Sequence, residues 1–263
     1  MRRRTTMKLA TFPLALVLAQ WALAGDALAA LTAKANHDHI AIDFRYHGST
    51  VTVRGESEMG VDLVVKITSP DGHQTMNRKG KVAGLLWMNV GGLTFARTPD
   101  LYEVFSTRKL DELLTPEERT AHVIGYDALA EHVEIDGAES AQEKATWFRE
   151  FVRFKESSNL YAEASEPIET KPLPDGRQSY FVGTRWPHQA PPGEYTVTVF
   201  AIRDGKVLEK AESKVHVEQV GVVKTLATMA RDSAVLYAIL SIGIALSAGF
   251  GVGMVLRKPG GAH

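Results

Sequence analysis

The chain has 263 residues, 30 basic against 31 acidic, a formal net charge of −1 and no cysteine. Balanced charge leaves no basic footprint for nucleic acid. Absent thiols exclude a disulfide scaffold, thiolate catalysis, iron–sulfur clusters, blue copper and cysteine-bound zinc.

Met1-Arg2-Arg3-Arg4, with Lys8, forms a basic start, followed by an apolar stretch from Leu9 to Leu23. Small residues then stand at Ala22-Leu23-Ala24 and Ala27-Leu28-Ala29. This is the pattern of a secretory signal, short for a membrane span and flanked for cleavage, so residues 1–29 are read as a signal peptide. The alternative is an uncleaved anchor in a two-pass protein, which Pro13 and Gln20 weaken.

Residues 30–220 are read as the exported part, a length that suits one domain with an insertion or two small ones and is enough to bury a core without covalent help. Near its start, His37-Asp38-His39 is a weak metal candidate: in a strand, residues two apart share a face, yet a stable site needs three or four ligands. His47, His73 and Met76 could add ligands, although no spacing demands it.

Ile40, Ile42 and Phe44, then Val51 and Val53, then Val61, Leu63, Val65 and Ile67 alternate with polar neighbours, as half-buried strands do. Ser69-Pro70-Asp71-Gly72 reads as a turn. Val82 to Met88, Leu93 to Ala96 and Leu101 to Phe105 read as further short strands. Such spacing predicts an immunoglobulin-like β-sandwich.

A helical insertion over about 115–165 interrupts it. Thr115-Pro116-Glu117-Glu118 and Ser140-Ala141-Gln142-Glu143 are helix-capping signals, the second opening a helix to about Ala162. Trp147, Phe148, Phe151, Val152 and Phe154 give that helix a broad apolar face, expected to pack on the sandwich. Residues 163–177 read as the return loop. Gln178 to Val182 resumes the strands. Asp204-Gly205 predicts a hairpin between Tyr195–Ile202 and Val207–Val217. On the first of these strands Phe200 and Ile202 oppose Tyr195, Val197 and Val199, which implies cover on both faces.

From Ala234 to Leu256 the sequence is apolar and uncharged. At about 1.5 Å per residue it reaches roughly 35 Å, against a hydrocarbon core of about 30 Å. Residues 233–256 are therefore read as a transmembrane helix. Arg257 and Lys258 place the tail, 257–263, in the cytoplasm and the exported domain across the membrane from it. Gly243, Ser247 and Gly251 form one small-residue stripe, and Ala245, Gly249 and Gly253 another. Both suit close approach of a second helix, in a permease or in another copy of the chain.

The residues offer no nucleophile elbow, phosphate loop or zinc-protease motif. No catalytic residue and no cofactor is assigned, and an enzyme ranks third among the readings.

Arg78-Lys79-Gly80-Lys81-Val82-Ala83-Gly84-Leu85-Leu86-Trp87-Met88-Asn89, Tyr102 to Arg108, Pro192-Gly193-Glu194-Tyr195 and the terminal helix resemble an alphaproteobacterial transmembrane protein family. The likeness runs from about Leu31 to Lys258. It implies a signal peptide, an exported domain and one carboxyl-terminal helix, and brings no catalytic residues with it. Members often accompany permeases of the sulfite-exporter type. The resemblance thus implies a non-enzymatic accessory subunit of a permease exporting sulfite or organosulfur anions. The alternative is a membrane-tethered sensor of anions or metals, using Arg78, Lys79 and Lys81 or the His37/His39 pair.

Overall fold

The computed structural model describes residues 31–46, 48–82, 84–163 and 168–256. The segment read as a signal peptide, the tail from 257 and His47 lie outside the described residues. The strands form three sheets. One runs β1 (Lys34–Ala35), β3 (Ser49–Glu58), β11 (Arg177–Trp186), β10 (Glu169–Pro172). The largest runs β2 (His39–Ile42), β13 (Lys206–Gln219), β12 (Gly193–Arg203), β4 (Asp62–Thr68), β7 (Tyr102–Ser106), β9 (Tyr161–Glu163). The third is β5 (Asp71–Val82), β6 (Leu86–Pro99), β8 (Glu134–Asp136). Helices are α1 (Leu110–Leu113), α2 (Pro116–His122), α3 (Tyr126–His132), α4 (Ala141–Ser157), α5 (Gly221–Asp232) and α6 (Ala234–Leu256).

The first two sheets make the expected sandwich. Alternation along β4 sends Leu63, Val65 and Ile67 inward, where they meet Val51 and Val53 of β3 and Val182 of β11 in one core. Each such side chain contributes about 1.5–3 kcal/mol by leaving water. Trp186 closes one region of this core edge-on to Tyr195, with ring centroids 4.7 Å apart. Gly55 admits Tyr180 and the Thr32 carbonyl so closely that a Cβ there would stand 1.8 Å from that oxygen.

The large sheet is covered on both faces, as the doubly apolar β12 predicts: Val197 to Ile202 are all buried. Helices supply the second cover. Thr115 caps α2 by accepting from the Glu118 amide, with Pro116 at the first helical position. The His122 ring lies 5.3 Å from Phe200, and Lys66 Nζ donates to the His122 carbonyl at 2.6 Å. Ser140 likewise caps α4 through the Glu143 amide. That helix ends at Ser157, short of Ala162, because Asn159 turns left-handed at φ 54° and the chain re-enters strand at Tyr161. Its apolar face packs inward through Phe148, Phe151 and Val152, while Phe154 points outward. Part of the expected return loop is β10, paired with β11.

Two readings of the β5–β6 region need correction. Ser69-Pro70-Asp71-Gly72 does not reverse the chain. Thr68 pairs with Tyr102, the Ser69 amide donates to the Leu101 carbonyl at 3.1 Å, and Asp71 pairs with Pro99. The antiparallel β4–β7 pair therefore runs on into β5–β6 as one long ribbon. Val82 to Met88 is not one continuous strand: Val82 ends β5, Leu86 begins β6, and the ribbon turns between them. The Leu85 amide donates to the Val82 carbonyl there, and Gly84 takes φ 74°, where a side chain would be strained. A continuous apolar run hid the reversal.

The inner half of the ribbon is packed under α4. Lys155 Nζ donates to the Asp100 carbonyl at 3.2 Å near the base, Phe151 stacks on Phe95 at 4.5 Å, and Arg78 meets Glu143 at 2.9 Å farther out. Beyond Arg78 no described residue covers it: Leu86 to Gly92 are exposed, whereas Leu93 and Phe95 are buried.

Candidate functional site

The carboxyl-terminal segments leave the sandwich from the same end as the ribbon. Thr68 faces Thr196, and Gly193 faces Val217; three residues later the Val220 amide donates to the Ile42 carbonyl and α5 begins. This helix was not anticipated. Its signal is the 3.6-residue period of Val222, Val223, Leu226, Met229 and Ala230, set against Lys224, Thr225, Thr228 and Arg231. None of its residues is buried. The Tyr237 amide donates to the Ser233 carbonyl as α6 takes over.

Within α6, Ala234–Met254 has a mean hydropathy of 2.1 with none of it buried in the chain, long and apolar enough to cross a bilayer. The small residues fall where helix spacing puts them. Ser247 Oγ satisfies itself on the Gly243 carbonyl at 2.8 Å, so its hydroxyl adds little polarity to the stripe. A Cβ built on Gly243, Gly249, Gly251 or Gly253 meets no atom within 4 Å. Ala245 is likewise exposed. Both stripes are open surface.

A family model described as "Putative transmembrane protein (Alph_Pro_TM)" matches residues 30–258. The chain belongs to this family. No curated protein matches it.

The other candidates of this Alph_Pro_TM chain do not form one site: His37 and His39 lie apart from β5, which carries His73, Met76, Arg78, Lys79 and Lys81. His37 sits in a loop ahead of β2 and not in a strand. His39 pairs with Glu218 at 3.3 Å, its ring 5.7 Å from that of His216. His73 and Met76 belong to β5 in another sheet. Among the described residues no three His, Asp or Glu side chains converge as metal ligands would. Arg78 is held by Glu143, and the Lys81 ammonium lies 5.5 Å over the Trp87 ring. Lys79 is exposed beside them on the ribbon.

Sequence reasoning missed a polar feature inside the sandwich. Glu103 of β7 faces Ile67, on the side that looks toward the other sheet, and is buried. Its carboxyl bonds the Thr184 side chain, and burial pushes it up to about 7. Its Oε2 and the Trp186 indole nitrogen have no partner among the described residues. Both residues line a cavity of about 560 Å³ with Asn159, Tyr161 and His188. A carboxyl titrating near neutrality can hold or release a proton there, or meet a small polar guest. The available signal was an acid in Leu101-Tyr102-Glu103-Val104-Phe105, at the position alternation assigns to the interior.

Proposed function

We propose that this membrane protein is a non-enzymatic accessory subunit, holding a periplasmic β-sandwich beside a multi-pass permease of the bacterial inner membrane. The cargo class suggested by the family likeness is sulfite or an organosulfur anion. The observation that carries the reading is the open state of both small-residue stripes on α6. Hydrocarbon gives no hydrophobic drive for helices to associate, so close packing at small residues decides which helices stay together. A helix serving only as an anchor needs bulk apolarity, which Leu and Ile supply without glycine's conformational freedom.

Gly249→Ile and Gly253→Ile raise apolarity and should leave insertion intact. Each is expected to separate the protein from its partner in detergent-solubilised membranes, read by co-purification and mass spectrometry at equal membrane level. Association that survives both substitutions would remove α6 from the interface.

A further inference from the structure

We propose that the tip of the β5–β6 ribbon rests in the surface layer of the same bilayer that α6 crosses, giving the domain a second contact with lipid. Position is the first argument. The ribbon prolongs β4 and β7 beyond the end of the sheet where Gly193 faces Val217, the end from which the chain departs for α5 and α6. Because β4 runs into β5 without pairing to it, the ribbon continues in β4's direction and carries its tip toward the membrane side.

Reach is the second. From Asp71 to Val82 a strand extends about 40 Å. Standing upright, α5 would separate the sheet from the bilayer by only about 18 Å. The ribbon is long enough to touch the surface even when steeply inclined.

Chemistry is the third. Leu85 is 84% exposed, Leu86 66% and Trp87 67%, with Val82 and Met88 also exposed beside them. Water-facing apolar clusters of this kind mark a surface that meets something else. Strand alternation sorts the tip into two faces: Gly80, Val82, Leu86 and Met88 on one, Lys79, Lys81 and Trp87 on the other. Indole rings settle at headgroup level, ammonium groups meet lipid phosphate, and aliphatic side chains enter the acyl boundary. The cross-strand pairs Lys81 with Trp87 and Val82 with Leu86 keep the backbone hydrogen-bonded up to the turn, as a lipid boundary requires. Arg78, tied to Glu143, marks where the packed half ends and the free half begins.

The absence of cysteine makes the test direct. Leu86→Cys at the tip and Lys206→Cys at the opposite hairpin each give the full chain a single thiol for a fluorophore. The labelled proteins are reconstituted into phosphatidylcholine vesicles containing phosphatidylglycerol, with nitroxide-bearing lipid or aqueous iodide as quencher. The expected result is several-fold stronger quenching by nitroxide lipid at 86 than at 206, with 86 shielded from iodide. Met88→Cys repeats the measurement if Leu86→Cys misfolds. A tip label open to iodide and blind to nitroxide lipid overturns the proposal. So does a label screened from both that becomes exposed on dilution into excess lipid, which would assign the tip to a second copy.

Discussion

Two hairpins of this chain end in opposite circumstances. At the β12–β13 turn, Asp204 and Gly205 take φ 52° and 78°, the left-handed pair that a tight hairpin needs. This tip is clamped by the start of α2: the Thr115 amide donates to the Gly205 carbonyl at 3.1 Å, and Glu118 accepts from the Val207 amide at 3.1 Å. The Val82–Leu86 turn uses the same backbone device at Gly84, where a Cβ would meet nothing within 4 Å. One hairpin completes the fold and the other leaves it. Local turn chemistry does not distinguish them. What stands beside each tip does, and an exposed apolar tip kept free of cover is a surface reserved for something outside the chain.

The comparison predicts graded effects. Phe151→Ala empties the site that holds the inner ribbon under α4, where Phe151 is fully buried. It should cost about 3–5 kcal/mol of unfolding free energy, read by denaturant titration. An equal loss from Trp87→Ser would erase the distinction between the two halves of the ribbon.

Glu103, on the strand that the ribbon prolongs, gives the next effect. Its folded value of about 7 stands above the ordinary 4.5. The folded state therefore holds the proton more tightly. The stability contributed by the neutral carboxyl is complete below about pH 4.5 and is lost as pH rises through 7. Glu103→Gln should flatten this fall and raise stability at pH 8 by an amount on the order of 3 kcal/mol. Parallel stability–pH curves for the two proteins would mean that the carboxyl is not shielded.

Gly205→Val forces a branched side chain into the left-handed region, with its Cβ 3.2 Å from Thr115 Cγ2. A loss of about 2 kcal/mol is expected. Gly84→Ala carries backbone strain alone and should lose about 1 kcal/mol. Equal losses would show that α2 adds nothing to the clamp. Smallest of all, Trp87→Ser should shift the unfolding free energy by less than about 0.5 kcal/mol. Thermal melts compare all three variants.

The sandwich was legible because Val51, Val53, Leu63, Val65 and Ile67 alternate without interruption and Asp204-Gly205 announces its turn. Thr115 and Ser140 announced their helices for the same reason: a cap acts within four residues. Val82 to Met88 misled because the reversal is made at Gly84 inside an apolar run, where hydrophobicity reads as strand. The α5 helix escaped because it is short and adjoins a much stronger apolar signal. Of the candidate sites, the small residues of α6 followed from helix periodicity alone. Glu103 did not stand out, since its burial depends on β11, more than seventy residues later in the chain, bringing Thr184 over it.

The sheet order also sets a schedule for folding. Among the described residues β2 pairs with β13 alone, His39 opposite His216, and β3 finds its long partner in β11, Ser49 opposite Trp186. β2 must therefore wait for nearly the last strand, and β3, held early by the two-residue β1 alone, waits for its long partner. Contacts so distant in sequence close slowly, because the loop entropy is spent before the pairing returns it. Val220 alone separates the end of β13 from α5, and α6 follows α5 at Ala234. The domain thus reaches its final form at about the moment its membrane segment is delivered, and assembly and anchoring become a single late event.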